Sequence, residues 1–91
     1  MENTIEIKQK ITDLALRKIV ENMKCERKKQ KMSPLNLTMA MRYEAVNLIY
    51  FIEVGIKNQR FNLIYLISIV KILDISILEL LEGANEILQT K

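Results

Sequence analysis

The sequence predicts an all-α fold, and three observations carry that prediction. The 91 residues include only two Gly and one Pro, so little interrupts a helix. Apolar residues make up 49% of the chain, mostly as Ile, Leu and Met, and they recur at spacings of three and four. Helix-capping residues stand just ahead of the apolar stretches: Ser33-Pro34, Asn62 and Ser76. A chain of this length makes one domain with a modest core, and burial against a partner would add to its stability.

The elements follow in order. Ile7, Ile11 and Leu14 form one apolar stripe, and Leu16, Ile19, Val20 and Met23 form another. This stretch reads as one long helix, or as an N-terminal arm followed by a helix from about Leu14, where Asp13 could cap a fresh start. The helix is expected to end near Gln30, where Lys28, Lys29 and Lys31 suit the negative end of its dipole. A second helix starts at Ser33-Pro34, buries Leu37 and Met41, and stops around Arg42. A third runs from about Ala45 to Val54, with Val46, Ile49 and Ile52 inward, and Gly55 stops it. After a polar, basic connector from Ile56 to Arg60, Asn62 caps a fourth helix carrying Leu63, Leu66, Ile69, Val70 and Leu73. The run from Phe61 to Leu73 is too short for a bilayer, which needs about 20 residues, and reads as a buried core helix. Ser76 and Glu79 form a capping box for a fifth helix over 77–82, which Gly83 ends or bends, with room for a last turn or two over Ala84 to Gln89.

Charge is uneven along the chain. Residues 1–32 carry nine Lys/Arg against five Asp/Glu, residues 33–73 four against two, and residues 74–91 one against four. A basic body with an acidic end suits a polyanionic partner; the Arg27-Lys28-Lys29 cluster taken alone reads equally well as a solvated helix face. His is absent and Cys25 is the only cysteine, which excludes an intrachain disulfide and a Cys/His metal site. Cys25 is expected to be inert and partly buried, and a reducing cytoplasmic setting fits. Met1-Glu2-Asn3 does not open a secretory signal. No glycine-rich phosphate loop and no carboxylate pair beside a nucleophile points to an enzyme, so neither catalysis nor a cofactor is expected. Ser33 and Ser76 are explained as caps and Ser68 as a helical core position.

Helix, tight turn, helix and glycine stop is the outline of a helix-turn-helix DNA-binding unit. Several pieces in order sharpen it: Met23-Lys24-Cys25-Glu26-Arg27 with Met32-Ser33, Leu37-Thr38, Ile52-Glu53-Val54-Gly55, and Leu66, Ile69, Val70, Leu73, Asp74, Ile75 and Ser76. Over about residues 19–81 the chain resembles the lambda-repressor/Cro-like helix-turn-helix domains, the XRE family. The resemblance implies a compact five-helix domain with an extra N-terminal helical arm. Residues 1–13 would be the arm or a helix extension, 14–83 the DNA-binding domain and 84–91 a C-terminal tail. It also implies that Arg27, late in the first helix, pairs with Glu53, late in the third, in bidentate fashion. The chain departs from the family pattern in four ways. Ser33 to Gly55 is one residue long, and Glu53 to Leu73 two. Pro34 replaces a glutamine, and Arg42 or Tyr43 replaces a turn glycine. The recognition segment from Ala45 to Phe51 is unusually apolar.

Reading base edges requires hydrogen-bonding groups on the outer face of the third helix. Asn47 and Tyr50 share that face, Asn47 suiting adenine and Tyr50 a base or a phosphate; Ala45 could meet a thymine methyl. Phosphate contacts are expected from Arg42 and Tyr43 in the turn, from Lys57, Asn58 and Arg60 after the third helix, and from the amides at Ser33. The expected function is sequence-specific, dimeric binding of operator DNA by a transcriptional regulator of phage-repressor, restriction-controller or antitoxin type. A toxin or another regulator is a possible further partner, and no membrane is expected. The alternative is a protein-interaction module that keeps this fold but has lost DNA reading, which the apolar third helix favours. The surfaces expected to form the dimer are the fifth helix and the N-terminal arm.

Overall fold

The computed structural model describes residues 4–42, 47–55 and 62–89, and among these the regular structure is entirely helical. The first helix, α1 (Thr4–Lys29), is 26 residues long and passes through Asp13-Leu14 without a break. The arm and the first helix are therefore one rod. No Gly or Pro lies within it, and Asp13 has no chain break to cap. At 1.5 Å per residue it is about 39 Å long and accounts for most of the 45 Å long axis of the molecule. Lys31 closes it in the left-handed region at φ 56°, which lets the Met32 amide donate to the Arg27 carbonyl at 3.1 Å.

Two short helices follow. In α2 (Pro34–Ala40) the Ser33 hydroxyl accepts from the Asn36 amide at 3.0 Å. The next helix, α3 (Leu48–Val54), ends at Gly55 with φ 74°, a conformation strained for any residue with a Cβ. It begins at Leu48, with Asn47 as its cap, and so later than the expected start near Ala45, a residue that itself lies outside those described. In α4 (Leu63–Leu73) the Asn62 side chain accepts from the Tyr65 amide at 2.8 Å. Asp74 then takes φ 55° and the Ile75 amide returns to the Val70 carbonyl at 3.2 Å. The Ser76–Glu79 capping box forms and starts α5 (Ile77–Leu80). Gly83, at φ 84°, separates it from α6 (Ala84–Leu88). The last turn or two expected over Ala84 to Gln89 is this short helix, and it packs along α1.

One core joins five of these helices. Val20 and Met23 come from α1, Leu37 from α2 with Met41 at its end, Leu48, Ile49 and Ile52 from α3, Ile69 and Leu73 from α4, and Leu80 from α5. Ala15 and Ala84 are buried outside this cluster, on the two helices that pack together, α1 and α6. Two expectations are corrected. α4 is not buried all round: Leu63, Ile64 and Ile67 face outward, because α1, α2 and α5 meet only its other side. Cys25 is exposed, not partly buried, since it lies on the side of α1 away from Val20 and Met23.

Polar side chains of α1 and its C-terminal turn hold the ends of the other helices. Arg17 donates to the Glu53 carbonyl at 2.6 Å, Asn22 to the Leu80 and Glu82 carbonyls at 2.9 and 2.7 Å, and Gln30 to the Leu73 carbonyl at 2.6 Å. Helix C-termini carry carbonyls without intrahelical partners, and these donors satisfy them. Among the described residues Asn22 ties α1 to the end of α5 through two hydrogen bonds, so Asn22→Ala is expected to cost about 2 kcal/mol. In a domain this small that lowers the thermal midpoint by about 10 °C, read by circular dichroism. Cys25→Ser, on the exposed face, is the control and should leave the midpoint unchanged.

Candidate nucleic-acid interface

Two helices, α1 and α2, set up the outward face of α3, beginning with a buried charge pair. The Arg27 guanidinium meets the Glu53 carboxylate through two bonds, Nε to Oε2 at 2.7 Å and Nη2 to Oε1 at 2.8 Å. Its remaining arm, Nη1, donates to the Met32 carbonyl at 2.6 Å. The two residues are only 6% and 8% exposed. This fork geometry is what arginine offers to a carboxylate and lysine does not. The pair fixes the last turn of α3 against the last turn of α1 and the entry to α2.

The other end of α3 is fixed by Thr38, which is fully buried. Its hydroxyl donates back to the Pro34 carbonyl at 2.9 Å and accepts from the Ile49 amide at 3.2 Å. That amide lies in the first turn of α3, where it lacks an intrahelical partner. With Leu48, Ile49 and Ile52 turned into the core, Asn47 and Tyr50 point out. Tyr50 is 48% exposed, and its ring leans on Phe51 with centroids 5.9 Å apart. Asn47 is exposed and occupies the cap position of α3 but makes no side-chain cap bond.

Arg42 is exposed and adopts φ 62°, the left-handed conformation that a turn glycine would take without strain. Ser33 is exposed at the start of α2 with its hydroxyl committed to the cap. Tyr43, Ala45, Lys57, Asn58 and Arg60 lie outside the described residues. The Arg27-Lys28-Lys29 cluster does not act as one basic patch. Arg27 is buried on Glu53, and Lys29 bonds Glu26 at 3.1 Å, whose carboxylate holds the Lys29 pKa above its ordinary value; Lys28 is exposed. Several apolar side chains are also exposed on α2 and α3, namely Leu35, Met39 and Val54.

Sequence reasoning missed Arg17, which caps the C-terminal end of α3 through the Glu53 carbonyl and brings its guanidinium within 3.9 Å of where a Gly55 Cβ would stand. Its spacing within α1 carries no signal that separates it from a solvated arginine. Thr38 did carry one, a hydroxyl between two core positions, Leu37 and Met41. Among the described residues no group of His, Cys, Asp or Glu could hold a metal ion, and no helix is long and apolar enough to cross a membrane.

No family model, no curated protein and no solved structure matches the chain. The geometry of the buried pair makes its own prediction. Glu53→Ala leaves the Arg27 charge buried and unpaired and should cost about 3–5 kcal/mol, a large share of the stability of a 91-residue domain. Replacing both partners, Arg27→Met with Glu53→Leu, should recover most of that loss in urea denaturation. A Glu53→Ala protein within about 1 kcal/mol of the parent would refute the assignment of a buried structural charge pair.

Proposed function

We propose that the chain is a sequence-specific DNA-binding transcriptional regulator, of phage-repressor, restriction-controller or antitoxin type, that binds operator DNA as a dimer through α3. The observation that carries this reading is a short helix fixed at both ends, by Thr38 and by the Arg27–Glu53 pair, with Asn47 and Tyr50 turned outward. Such a helix can enter the major groove without ordering itself on arrival, which removes one entropic cost of binding.

In this reading Asn47 bonds the N6 and N7 edge of an adenine and Tyr50 reaches a neighbouring base or phosphate. Arg42 and the amide-rich start of α2 near Ser33 meet the backbone, joined by Tyr43, Lys57, Asn58 and Arg60, with Ala45 against a thymine methyl. The first 73 residues carry thirteen Lys/Arg against seven Asp/Glu, while residues 74–91 are acidic, so the body of the domain is the part attracted to a polyanion. So few contacts per chain make a monomer weak, and two copies on a two-fold site supply the affinity. A second reading is favoured by Leu35, Met39 and Val54, which are exposed on α2 and α3. There the same scaffold presents α3 to a protein, and an antitoxin would combine the two.

The test is a polarisation titration against the DNA upstream of the chain's own coding sequence, at several salt concentrations. Saturable binding is expected, with log affinity falling by roughly 0.9 per log unit of salt for each phosphate neutralised. Asn47→Ala and Tyr50→Ala should relax sequence preference, whereas Lys57→Ala should weaken all sequences about equally. Absence of salt-dependent saturation at low salt would leave only the protein-interaction reading. Arg42→Gly separates fold from function. Relief of left-handed strain, about 1 kcal/mol, offsets the added flexibility of glycine, so stability should hold while DNA affinity drops.

A further inference from the structure

The N-terminal half of α1 carries an apolar stripe that the other described residues leave largely exposed. Ile7 and Leu14 are 39% and 59% exposed and Ile11 is half-buried. At 100° per residue, Ile7 and Leu14 lie about 160° around the helix from Val20, Met23 and Arg27, so the stripe is not the core face continued. Because α1 is one unbroken rod, no bend can turn this stripe onto the body. α6 lies along one flank of it. Gly83 sits at Lys18, and the Leu80 and Glu82 carbonyls sit at Asn22, so α6 runs antiparallel to α1, and its five residues carry exposed Leu88 to about the level of residue 13 of α1.

The opposite flank carries Glu6, Lys10, Asp13 and Arg17, at spacings of four, three and four. Their signs run minus, plus, minus, plus. Reading the row backwards inverts every sign, so the row is complementary to itself in antiparallel alignment. A two-fold axis between residues 11 and 12 sets Lys10 against Asp13 of the second copy and brings Glu6 beside its Arg17, whose guanidinium also holds the Glu53 carbonyl at 2.6 Å and Glu21 at 3.2 Å within its own chain. In a parallel pair this charged flank would instead meet the flank that α6 occupies.

We propose that the arm of α1 docks against the arm of a second copy of this chain, antiparallel, burying Ile7, Ile11, Leu14 and Leu88 about that axis. The inference names the interface of the dimer in the proposed function, but its test needs no DNA, so the two can fail separately. The outward face of α4, with Leu63, Ile64 and Ile67, has no comparable charge row, and Lys71 interrupts it.

Sedimentation equilibrium of the full chain without DNA should give twice the 10.7 kDa chain mass at high micromolar concentration. Ile7→Asp with Leu14→Asp should weaken association at least a hundredfold while the helical signal and the unfolding midpoint of the monomer stay in place. Lys10→Glu sets like charges together and should weaken association, and adding Asp13→Lys should restore it. The lone, exposed Cys25 supplies a direct ruler. Spin labels on the two copies should lie about 40 Å apart, because 27 residues at 1.5 Å each separate them along paired antiparallel helices. A single-chain mass throughout overturns the proposal. So does a short Cys25–Cys25 distance, or a dimer broken by Ile67→Asp and untouched by the arm variants.

Discussion

Opposite charges withdrawn from water are costly unless their hydrogen-bonding directions are filled. At Arg27 all three nitrogens find an acceptor, two on the Glu53 carboxylate and one on the Met32 carbonyl. A bond of this kind has little tolerance for displacement: sliding α3 by one turn would abandon a buried charge on each side. The pair therefore acts less as a source of net stability than as a selector of one arrangement. It chooses the axial position of α3, and with it the direction in which Asn47 and Tyr50 face.

The other short helices depend on α1 in a related way. α2 and α3 have seven residues each, α5 four and α6 five. All are shorter than the roughly 12–15 residues at which an isolated helix becomes marginal in water. Each needs an outside surface and an outside partner for its terminal carbonyls. α1 and its last turn supply donors at residues 17, 22 and 30 for the ends of α3, α5 and α4. Two of these donors are neutral amides and one is a cation, and the cation sits at the C-terminal end of α3, where the dipole favours positive charge. The long helix thus works as a ruler along which the ends of shorter ones are placed.

What the sequence made legible follows the range of the interaction. The Ser33, Asn62 and Ser76 caps and the Gly55 stop are written in adjacent residues, and each formed where the local chemistry placed it. The cores of α2 and α3 followed from spacing, through Leu37, Ile49 and Ile52. The Arg27–Glu53 contact spans 26 residues and came from resemblance rather than from pattern. The contacts of Arg17 and Asn22 span 36 and 58 or 60 residues and left no local trace, because a donor aimed at a distant carbonyl looks like any polar helix residue. The outward side of α4 was hidden for a different reason. Apolar spacing shows that a face is buried only if something is there to bury it, and sequence periodicity cannot say how much of a nearly all-apolar helix its neighbours will cover.

That last point bears on how α3, under the proposed function, would discriminate one DNA sequence from another. The segment from Asn47 to Val54 gives Leu48, Ile49, Ile52 and Glu53 to the interior. Asn47 and Tyr50 are the polar side chains it turns outward, and Val54 is exposed but apolar. A good bidentate base contact is worth about 1–3 kcal/mol of discrimination. One such contact per chain falls well short of the 4–10 kcal/mol that separates specific from non-specific binding in typical regulators. Under the proposed function the deficit must be met by doubling the site and by fixing the distance between its halves. Both depend on a rigid two-fold assembly rather than on more side chains in the groove. Under that proposal, a recognition helix spent on its own core in this way would place the demand for specificity on the dimer geometry. The unbroken α1 rod, which fixes α3 at one end and projects an uncovered stripe at the other, is the element through which that geometry would be set.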